Sequence, residues 1–578
     1  MSLSKSYIPQ LALDFLSQEI PSLTNKESAN NFLIDTCGVH SFFDSEADLI
    51  TLKRIISGNL IADNIVNRRE FGDYQTNKSL ACQCVSLIGS DSDYEFILEP
   101  TCGKGNFIIA ALNNIESVSK LVGIEIYKPY VWETKFKVLS FYLANPDKKT
   151  AEISIIHADV FTYDFKKLAK DTKALKTLII GNPPWITNSE LGTLDSSNLP
   201  KKKNSSLQKG FDALTGKSNF DLGEAVVANL FNHFQYHIGS FALLVKSIVI
   251  KNIVKNQQKN KVKIYDLHKY VINAKAEFDV SVNASLFTGS FGVGISYTCA
   301  EYDFYTKAEK LNFGWVNDKF VSFINKYKQS SHIDGYSRLI WRSGMKHDCS
   351  KIMELNQIEE HYTNKLDEKI FIEDNIVYRL LKSSDLKNID VTSSRKFTIV
   401  TQRKIGQDTS YIKQELPKTY NYLCKNEQYF SSRKSSIYKG KPRFSIFGIG
   451  DYSFKLHKVA ISGLYKKTTF SYVGPDKSKP IMLDDTCYFI GFNSKAQAKI
   501  AQFLLNSQIV QSFLNSIVFS DSKRSINKDI LMRIDLYKVY KLFNFDDASS
   551  YSNCITYSEW EVFENNIETK DIIQPTLF

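Results

Sequence analysis

Four short apolar runs constrain the fold of this 578-residue chain more than any other feature. They occupy residues 96–99, 121–125, 153–158 and 177–181, and helical patterns fill the intervals between them. Further strand patterns lie near 241–246, 262–268 and 281–288, the last two without an evident helix between them. This alternation predicts a doubly wound α/β domain with a seven-stranded, mostly parallel sheet, helices on both faces and an antiparallel pair at one edge.

The length and the change of pattern along the chain indicate three parts. A single core rarely grows beyond roughly 250–300 residues, so a chain of this length suggests two or three domains. Residues 1–50 are typical of a partly amphipathic, helical accessory segment, and residues 51–305 contain the strand–helix alternation. Residues 306–578 lose this rhythm and carry short aromatic-rich strands and basic loops, which predicts a mixed α+β domain.

The first apolar run leads into a turn with two glycines and then into a helix. Gly103 and Gly105 allow the backbone to approach a ligand closely, and the helix that starts near Asn106 offers free N–H groups. Glu125 follows Gly105 by 20 residues, at the end of the second strand, where nucleotide-binding folds hold ribose hydroxyls with a carboxylate. The three-glycine phosphate pattern is absent, which favours a cofactor with a ribose and no pyrophosphate. Asp159, at the end of the third strand, offers an acceptor for an adenine amino group.

The fourth strand ends at the tetrapeptide Asn-Pro-Pro-Trp, residues 182–185. Two prolines remove two backbone donors, so this strand end presents acceptors only: the Asn182 side-chain oxygen and the carbonyls of Asn182 and Pro183. Trp185 adds a large aromatic face. The combination suits an exocyclic amino group on a flat ring that stacks on the indole.

In this order, the segments resemble the motifs of S-adenosylmethionine-dependent amino-methyltransferases. They are most similar to the adenine-N6 DNA methyltransferases of the gamma class, TaqI-like and Eco57I-like, of type II restriction-modification systems. The resemblance covers about residues 68–290 and implies a Rossmann-like catalytic domain at 51–305, followed by a target-recognition domain at 306–578. In the gamma class the segment over the methionine end of the cofactor usually ends Thr-Pro, whereas here Thr76 is followed by Asn77.

The resemblance also implies roles for individual residues. The catalytic tetrapeptide would be Asn182, Pro183, Pro184 and Trp185, and Phe278 in the later segment 277–282 would close on the other face of the base. Residues 218–224 resemble the helix start that follows the tetrapeptide. No metal site is expected. S-adenosylmethionine, which leaves as S-adenosylhomocysteine, would be held by Tyr74, Thr76, Glu99, Pro100, Thr101, Gly103, Gly105, Asn106, Phe107, Glu125, Ile126, Asp159, Val160 and Asn182.

Positive charge is concentrated in the second half of the chain. Of the net charge of +11, about +9 falls in residues 301–578, which suits a phosphate backbone as partner. The gaps before and after the tetrapeptide are too short for a recognition domain, so recognition of double-stranded DNA is expected after the catalytic domain. Candidate DNA contacts are Lys201, Lys202, Lys203 and Lys209 beside the tetrapeptide, and Arg342, Lys346, Arg403, Lys523 and Arg524 in the second half.

The expected reaction is methylation of an adenine that has been flipped out of duplex DNA. Hydrogen bonds from its amino group to the Asn182 side chain and the Pro183 carbonyl would draw the nitrogen toward tetrahedral geometry and expose its lone pair. Direct in-line transfer from the sulfonium would follow, with positioning as the main contribution to the rate. No covalent intermediate is needed, and the chain has no Pro-Cys dipeptide of the kind that cytosine-C5 enzymes use.

Three other functions remain open. Cytosine-N4 methylation would use the same acceptors, although those enzymes more often carry serine at the position of Asn182. Protein glutamine methylation or RNA methylation would also act on a nitrogen, although the glutamine enzymes are usually much shorter. A non-catalytic DNA specificity subunit, or a fused restriction nuclease, is the third. The charges at 367–369 and 568–570 are isolated and do not form a convincing nuclease site.

Features that would direct the chain to a membrane or an oxidising compartment are missing from the sequence. It has no run of about 20 apolar residues and no basic-then-apolar amino-terminal signal. Its nine cysteines follow neither disulfide nor metal-ligand spacing. We therefore expect a cytoplasmic protein with no membrane partner. A monomer suffices for modification of one strand at a time, and the resemblance implies a cognate restriction endonuclease encoded nearby.

Overall fold

The computed structural model describes residues 5–57, 74–88, 93–186, 221–464, 468–519 and 524–568. The chain divides into two compact units, Met1–Phe320 and Val321–Phe578. The boundary expected at 305/306 lies earlier than this division, because strands beyond residue 297 extend the sheet of the first unit. No helix in the described ranges is long and apolar enough to cross a membrane.

The first unit is built on one sheet of eleven strands. They are β1 (Val39–His40), β2 (Phe96–Glu99), β3 (Lys120–Glu125), β4 (Glu152–His157), β5 (Thr177–Gly181), β6 (Gly239–Lys246), β7 (Ile264–Ile272), β8 (Ala284–Phe291), β9 (Thr298–Asp303), β10 (Glu309–Val316) and β11 (Lys319–Val321). Their order in the sheet is β1-β4-β3-β2-β5-β6-β8-β7-β9-β10-β11. The ladders from β1 to β6 are parallel, and β8 is antiparallel to both of its neighbours.

The helices of the first unit form two groups that pack among themselves. The described helices are α1 (Gln10–Glu19), α2 (Lys26–Cys37), α3 (Glu46–Ile56), α4 (Lys78–Ser86), α5 (Asn106–Asn114), α6 (Lys128–Ala144), α7 (Phe165–Asp171), α8 (Leu222–Phe234), α9 (Ser247–Asn260) and α10 (Ala274–Phe278), with 3-10 turns at Lys5–Tyr7 and Ile20–Ser22. One group contains α1, α2, α3, α4, α5 and α6, and the other contains α7, α8 and α9. Right-handed crossovers place the two groups on opposite faces of a parallel sheet.

This architecture confirms the predicted α/β class and all seven predicted strands, and it adds four strands to them. The predicted antiparallel pairing of the sixth and seventh strands is present, but it does not end the sheet, since β9, β10 and β11 continue it. Most residues of β9 and β10 are only half-buried or exposed. Strands without a buried face lack a clear alternation of apolar and polar residues, which is why the sequence pattern did not reveal them.

At the other edge, the amino-terminal segment contributes a strand. The two residues of β1 pair in parallel with β4, Val39 opposite Ile153. Lys135 of α6, only 1% exposed, donates from Nζ to the carbonyls of Ser41 (2.7 Å) and Phe42 (3.0 Å). Burial lowers the pKa of this ammonium, and these carbonyls compensate part of its lost hydration. The segment is therefore part of the core of the first unit rather than a separate layer.

The strand order reverses between two central strands, and this sets where a ligand can bind. From β2 the chain moves to β3 and β4 on one side, and then returns to β5 and β6 on the other. In doubly wound sheets a crevice opens at such a reversal, outside the carboxyl ends of the strands. Both the glycine turn after β2 and the tetrapeptide after β5 lie at this position.

The second unit is mixed α+β, as the sequence predicted, with two small sheets. Its strands are β12 (Arg342–Ser343), β13 (Glu354–Ile358), β14 (His361–Thr363), β15 (Lys369–Ile370), β16 (Val377–Leu381), β17 (Asp390–Val391), β18 (Lys396–Ile399), β19 (His457–Ser462), β20 (Ser471–Val473), β21 (Met482–Leu483) and β22 (Cys487–Phe492). One sheet has the order β12-β22-β19-β20-β17, and the other has the order β15-β14-β13-β18-β16-β21.

Helices surround these two sheets. Those described are α11 (Ile324–Ser330), α12 (Ser350–Met353), α13 (Tyr411–Glu415), α14 (Pro417–Lys425), α15 (Glu427–Ser431), α16 (Lys495–Leu505), α17 (Gln508–Ile517), α18 (Lys528–Leu531), α19 (Leu536–Tyr540), α20 (Phe545–Tyr551) and α21 (Tyr557–Ile567). Short 3-10 turns occur at Ser331–Ile333, Asp374–Ile376, Ser383–Asp385, Ser436–Tyr438 and Asp451–Phe454. Each sheet has its own apolar cluster of buried side chains.

Candidate cofactor and base site

A cleft lies at the carboxyl ends of β2, β3, β4 and β5, where the strand order reverses. It holds about 1140 Å³ of free space, part of it open to solvent. Of the fourteen residues predicted to hold the cofactor, thirteen line this cleft, and Gly105 does not. The sequence interpretation missed nine lining residues, most of them sequence neighbours of predicted ones: Gln75, Cys102, Ile124, Tyr127, Tyr130, Ala158, Phe161, Ile186 and Leu222.

The glycine turn after β2 needs both of its glycines for backbone reasons. Gly103 and Gly105 have left-handed φ angles of +51° and +74°. Gly105 is the N-cap residue of α5, and a Cβ there would lie 2.6 Å from Thr134 Cγ2. A Cβ at Gly103 would lie 2.7 Å from the side-chain oxygen of Gln75. Gly105 therefore shapes the turn and starts the helix, while Gly103 faces the cleft itself.

Two carboxylates stand where the ribose and adenine of a nucleoside cofactor were predicted. Glu125, at the end of β3, accepts hydrogen bonds from the backbone N–H groups of Gly103 and Tyr127, both at 2.8 Å. These bonds hold the carboxylate at the mouth of the glycine turn. Asp159 lies two residues beyond the last residue of β4 rather than within the strand, and its Oδ1 accepts from the backbone N–H of Phe161 at 2.9 Å.

A third carboxylate, Glu99, is buried at the end of β2. Only 2% of this residue is exposed, and its Oε2 has no hydrogen-bond partner within the described part of the chain. Burial, followed by the nearby charge of Glu125, raises the pKa of Glu99 well above its ordinary value. A buried carboxyl oxygen without a partner is costly unless a ligand satisfies it. An ammonium group, such as that of a methionine moiety, has the donors and the charge to do so.

The amide of Asn182 is held in one orientation by the loop that precedes α4. Its Nδ2 donates to the carbonyl of Tyr74 at 2.8 Å and to Thr76 Oγ1 at 3.2 Å. A backbone carbonyl only accepts, so Nδ2 must face Tyr74 and Oδ1 must point the other way. Oδ1 is buried, with no hydrogen-bond partner in the described ranges. The site thus holds an acceptor that is oriented, buried and unused.

Trp185 forms an aromatic cluster beside this acceptor. The indole is 5% exposed, and its ring centroid lies 4.8 Å from that of Phe278, edge to face, and 5.5 Å from that of Tyr74. The indole Nε1 donates to the carbonyl of Leu244 in β6 at 3.3 Å. The expected arrangement, with a base between Trp185 and Phe278, stays a prediction; in this structure the two rings contact each other. A base can stack on the indole only if a neighbouring ring moves aside.

Asn77, which replaces the usual proline, takes over the start of α4. Its Oδ1 accepts from the backbone N–H of Leu80 at 2.8 Å, so it caps the helix as asparagine commonly does. Thr76, just before it, is 6% exposed, and its carbonyl accepts from Asn106 Nδ2 at 2.7 Å. Asn77 therefore fixes the start of α4 by a side-chain cap, and Thr76 lies beside the Asn182 amide.

Several predicted residues lie outside the described ranges. These are Lys201, Lys202, Lys203, Lys209 and Lys523, together with residues 218–220 of the segment after the tetrapeptide. The rest of that segment begins α8, where Asp221 caps the helix and forms an ion pair with Lys246 at 2.8 Å. Within the described part of the chain, no three His, Cys, Asp or Glu side chains are arranged to hold a metal ion.

In the second unit, the structure separates the candidate DNA-contacting residues into two classes. Lys346 and Arg524 are paired with acids: Lys346 Nζ lies 2.9 Å from Asp348 Oδ1, and Arg524 Nη2 lies 3.2 Å from Asp485 Oδ2. Arg342 and Arg403 are exposed, and no acidic side chain of the described residues pairs with either.

The two unpaired arginines stack on one short turn. The guanidinium of Arg342 lies 4.9 Å from the ring centroid of Tyr452, and that of Arg403 lies 4.4 Å from the ring centroid of Phe454. Both rings belong to the 3-10 turn Asp451–Phe454, although the arginines are 61 positions apart in the sequence. Stacking restrains each guanidinium and leaves its in-plane N–H donors available.

Comparison with known proteins identifies the family. No model of a protein family matches the sequence. The chain is 37% identical over 476 residues to the type II methyltransferase M.NspV of Nostoc sp. (strain ATCC 29411 / PCC 7524), covering 82% of this chain and 98% of that protein. Its fold is similar to that of the type IIL restriction-modification enzyme MmeI in complex with DNA, with a TM-score of 0.54 and 12% identity over 97% of this chain and 90% of that one. An oriented amide beside an aromatic cluster, a nucleoside-type cleft and this relationship along most of the sequence lead to one conclusion: the chain belongs to the type II methyltransferase family.

Proposed function

We propose that this protein is the modification methyltransferase of a restriction-modification system, and that it transfers a methyl group from S-adenosylmethionine to N6 of an adenine flipped out of duplex DNA. The observation that carries the proposal is the buried, unpaired Oδ1 of Asn182, which the Tyr74 carbonyl orients away from itself. An acceptor in this state matches an amino group that arrives with the substrate. The cofactor, when bound, supplies an electrophilic methyl group on a sulfonium.

The cleft offers a suitable partner for each part of this cofactor. The unpaired Oε2 of Glu99 would receive the ammonium of the methionine end. The carboxylate of Glu125 would accept from the ribose hydroxyls, and that of Asp159 from the adenine amino group. Glycine at 103 keeps the adjoining wall free of a side chain. Burial of Glu99 strengthens its interaction with a cation, because the effective dielectric constant is low there.

The residues of the tetrapeptide would hold the substrate amino group in the orientation that methyl transfer needs. Asn182 Oδ1 and the Pro183 carbonyl accept its two N–H groups, which localises the nitrogen lone pair and stabilises positive charge as the new bond forms. Neither oxygen is a base at neutral pH, so the chain only holds the amino group; as the methyl passes from sulfur to nitrogen, the proton that the nitrogen must lose goes to solvent water. Stacking on Trp185, worth about 1–3 kcal/mol, would offset part of the cost of removing the base from the duplex. It requires Tyr74 or Phe278 to move.

Adenine is the favoured base, and cytosine-N4 methylation is the alternative. Asn182 uses Nδ2 to hold the loop and keeps Oδ1 for the substrate. A serine, which the cytosine-N4 enzymes more often carry here, has a shorter side chain and only one hydroxyl for both tasks. The Asn182 amide, which has a separate donor and acceptor for the two tasks, therefore supports the adenine assignment.

Double-stranded DNA is the proposed partner of the second unit. Arg342 and Arg403, which stack on one turn, present unpaired guanidinium donors in the half of the chain that carries most of the net positive charge. Arginine donors bind phosphate oxygens or the O6 and N7 edge of guanine. Lys346 and Arg524 are already neutralised by aspartates, so we expect smaller contributions from them.

The test is nucleoside mass spectrometry of unmethylated plasmid DNA incubated with the protein and S-adenosylmethionine, with Asn182→Ala as the inactive control. N6-methyladenine is expected. N4-methylcytosine would keep the mechanism and correct the base. If wild-type protein that binds the cofactor modifies no base, the DNA methyltransferase proposal is wrong. Resistance of the modified plasmid to a restriction endonuclease encoded beside this protein then tests whether the two form a restriction-modification system.

A further inference from the structure

The loop that orients the catalytic amide is hydrogen-bonded to the segment that carries Phe278. Asn77 Nδ2 donates to Glu277 Oε2 at 3.0 Å, across 200 positions of sequence. The same loop holds Asn182 through Tyr74 and Thr76. Glu277 directly precedes Phe278, whose ring contacts the indole. One hydrogen bond therefore connects the two sides of the base pocket.

A tyrosine from a third part of the chain braces the same glutamate. Tyr305 Oη donates to Glu277 Oε1 at 3.0 Å and accepts from the backbone N–H of Asn273 at 3.2 Å. Asn273 is the N-cap of α10, and Glu277 lies in its last turn. Tyr305 thus ties both ends of this helix to the strand connection after β9.

These external bonds matter because α10 is only five residues long. Helices of this length are not stable by themselves, so their position depends on tertiary contacts. Phe278 is half-buried and lies at the end of α10. Its contact with Trp185 therefore depends on the position of this helix.

We propose that Asn77, Glu277 and Tyr305 form a clamp that positions Phe278 at the base pocket and couples it to the loop that orients Asn182. The inference rests on the proposed function and deepens it. All three are positioning residues, since none is among the described residues that line the cleft. The clamp lets the Phe278 ring turn aside for a base while it keeps the backbone of α10 in reach. The proline usual at position 77 in the gamma class has no side-chain donor for such a bond.

The polarity of the Asn77–Glu277 bond allows a sharp test. Asn77→Asp keeps the helix cap, because aspartate caps as well as asparagine, but it sets two carboxylates against each other. Glu277→Gln alone is mild, because its amide oxygen still accepts from Asn77. In the double variant the introduced glutamine amide donates to the introduced aspartate, and its oxygen still accepts from Tyr305. Every hydrogen bond of the clamp is then restored, and in the bond between positions 77 and 277 the donor and the acceptor are exchanged.

Single-turnover transfer at saturating cofactor and DNA is the first measurement. For Asn77→Asp we expect a rate about tenfold lower, equivalent to about 1.4 kcal/mol, with an unchanged KM for S-adenosylmethionine. For the Asn77→Asp/Glu277→Gln double variant we expect a rate within about threefold of wild type. Lys275→Ala, on the same helix but outside the clamp, is the matched control and should keep the wild-type rate.

Amide hydrogen exchange of residues 273–283 in the cofactor-free protein is the second measurement, and it needs no substrate. Exchange should be faster in Asn77→Asp and return toward wild type in the double variant. Wild-type rate and exchange in Asn77→Asp, or a double variant no better than the single one, would overturn the clamp. If wild-type protein methylates no DNA, the proposed function fails, and the exchange pattern still decides whether the clamp exists.

Discussion

Replacing Glu99 by glutamine should stabilise the cofactor-free protein and weaken its binding of S-adenosylmethionine. The carboxyl group is 2% exposed, and its Oε2 has no hydrogen-bond partner among the described residues. Burial, and next the charge of Glu125, raises its pKa well above the ordinary value of 4.5. Above this raised pKa, the free protein carries the cost of a poorly solvated carboxylate, which a bound ammonium would relieve.

The sign and size of the effect follow from this raised pKa. Between the ordinary value and the raised one, the folded protein binds a proton that the unfolded chain has lost. Its free energy of unfolding therefore falls as pH rises through that window, by up to about 1.4 kcal/mol per pH unit. Glutamine does not titrate, so Glu99→Gln should remove this slope and be the more stable protein above the window. Loss of a charge-assisted bond of about 1.5–3 kcal/mol should weaken cofactor binding by roughly ten- to a hundredfold.

Two measurements on the same samples decide the matter. Thermal unfolding between pH 5 and pH 8 reports the slope, and isothermal titration with S-adenosylmethionine reports the affinity. Glu152→Gln is the control, because that glutamate is exposed at the start of β4. If Glu99→Gln binds the cofactor as tightly as wild type and keeps the same pH slope, Glu99 neither receives the ammonium nor carries a raised pKa.

Five further substitutions test the remaining parts of the site and the second unit. Asn182→Ala should abolish methyl transfer while cofactor and DNA binding, measured by titration calorimetry and gel shift, stay largely intact; normal turnover would remove the mechanism. Glu125→Ala should weaken cofactor binding by about 1.5–3 kcal/mol, and an unchanged affinity would reassign this carboxylate to holding the glycine turn. Gly105→Ala should cost about 1–3 kcal/mol of stability in urea unfolding, because φ is +74° and the new Cβ would meet a threonine methyl at 2.6 Å; wild-type stability would contradict the turn analysis. Arg342→Ala and Arg403→Ala should each lower DNA affinity and flatten its salt dependence, and binding curves identical to wild type would place the DNA elsewhere.

The parts of the site that lie at strand ends could be predicted from the sequence. Strands β2 and β5 are short, apolar and fully buried, so their ends could be located within a residue, and the glycine turn and the tetrapeptide follow directly. Thirteen of the fourteen cofactor residues that the resemblance implied line one cleft, and most of them lie at or just after strand ends. The exception, Gly105, was selected by the same motif, but its position serves the backbone.

Contacts between distant segments could not be predicted in this way. A pattern along the chain does not reveal that the Tyr74 carbonyl fixes the Asn182 amide, or that Asn77 reaches Glu277. The direct contact of Trp185 with Phe278 depends on how α10 packs, and five residues carry no periodicity to show it. Strand β1 has only two residues and was predicted as part of a helical segment, because so short a run gives no strand signal.

The pairing of β1 with β4 also delays folding of the amino-terminal segment during translation. Val39 can pair only after Ile153, 114 positions later, has been translated. At about 5–20 residues per second this takes roughly 6–23 s. For most of that interval α1, α2 and α3 have been synthesised, but α6 (Lys128–Ala144), against which α1 and α2 pack, has not. Until then their apolar side chains, among them Leu16, Leu33 and Leu49, lack the cover that α6 and the sheet provide in the folded unit. The nascent amino-terminal segment therefore exposes apolar surface until α6 and β4 have been translated.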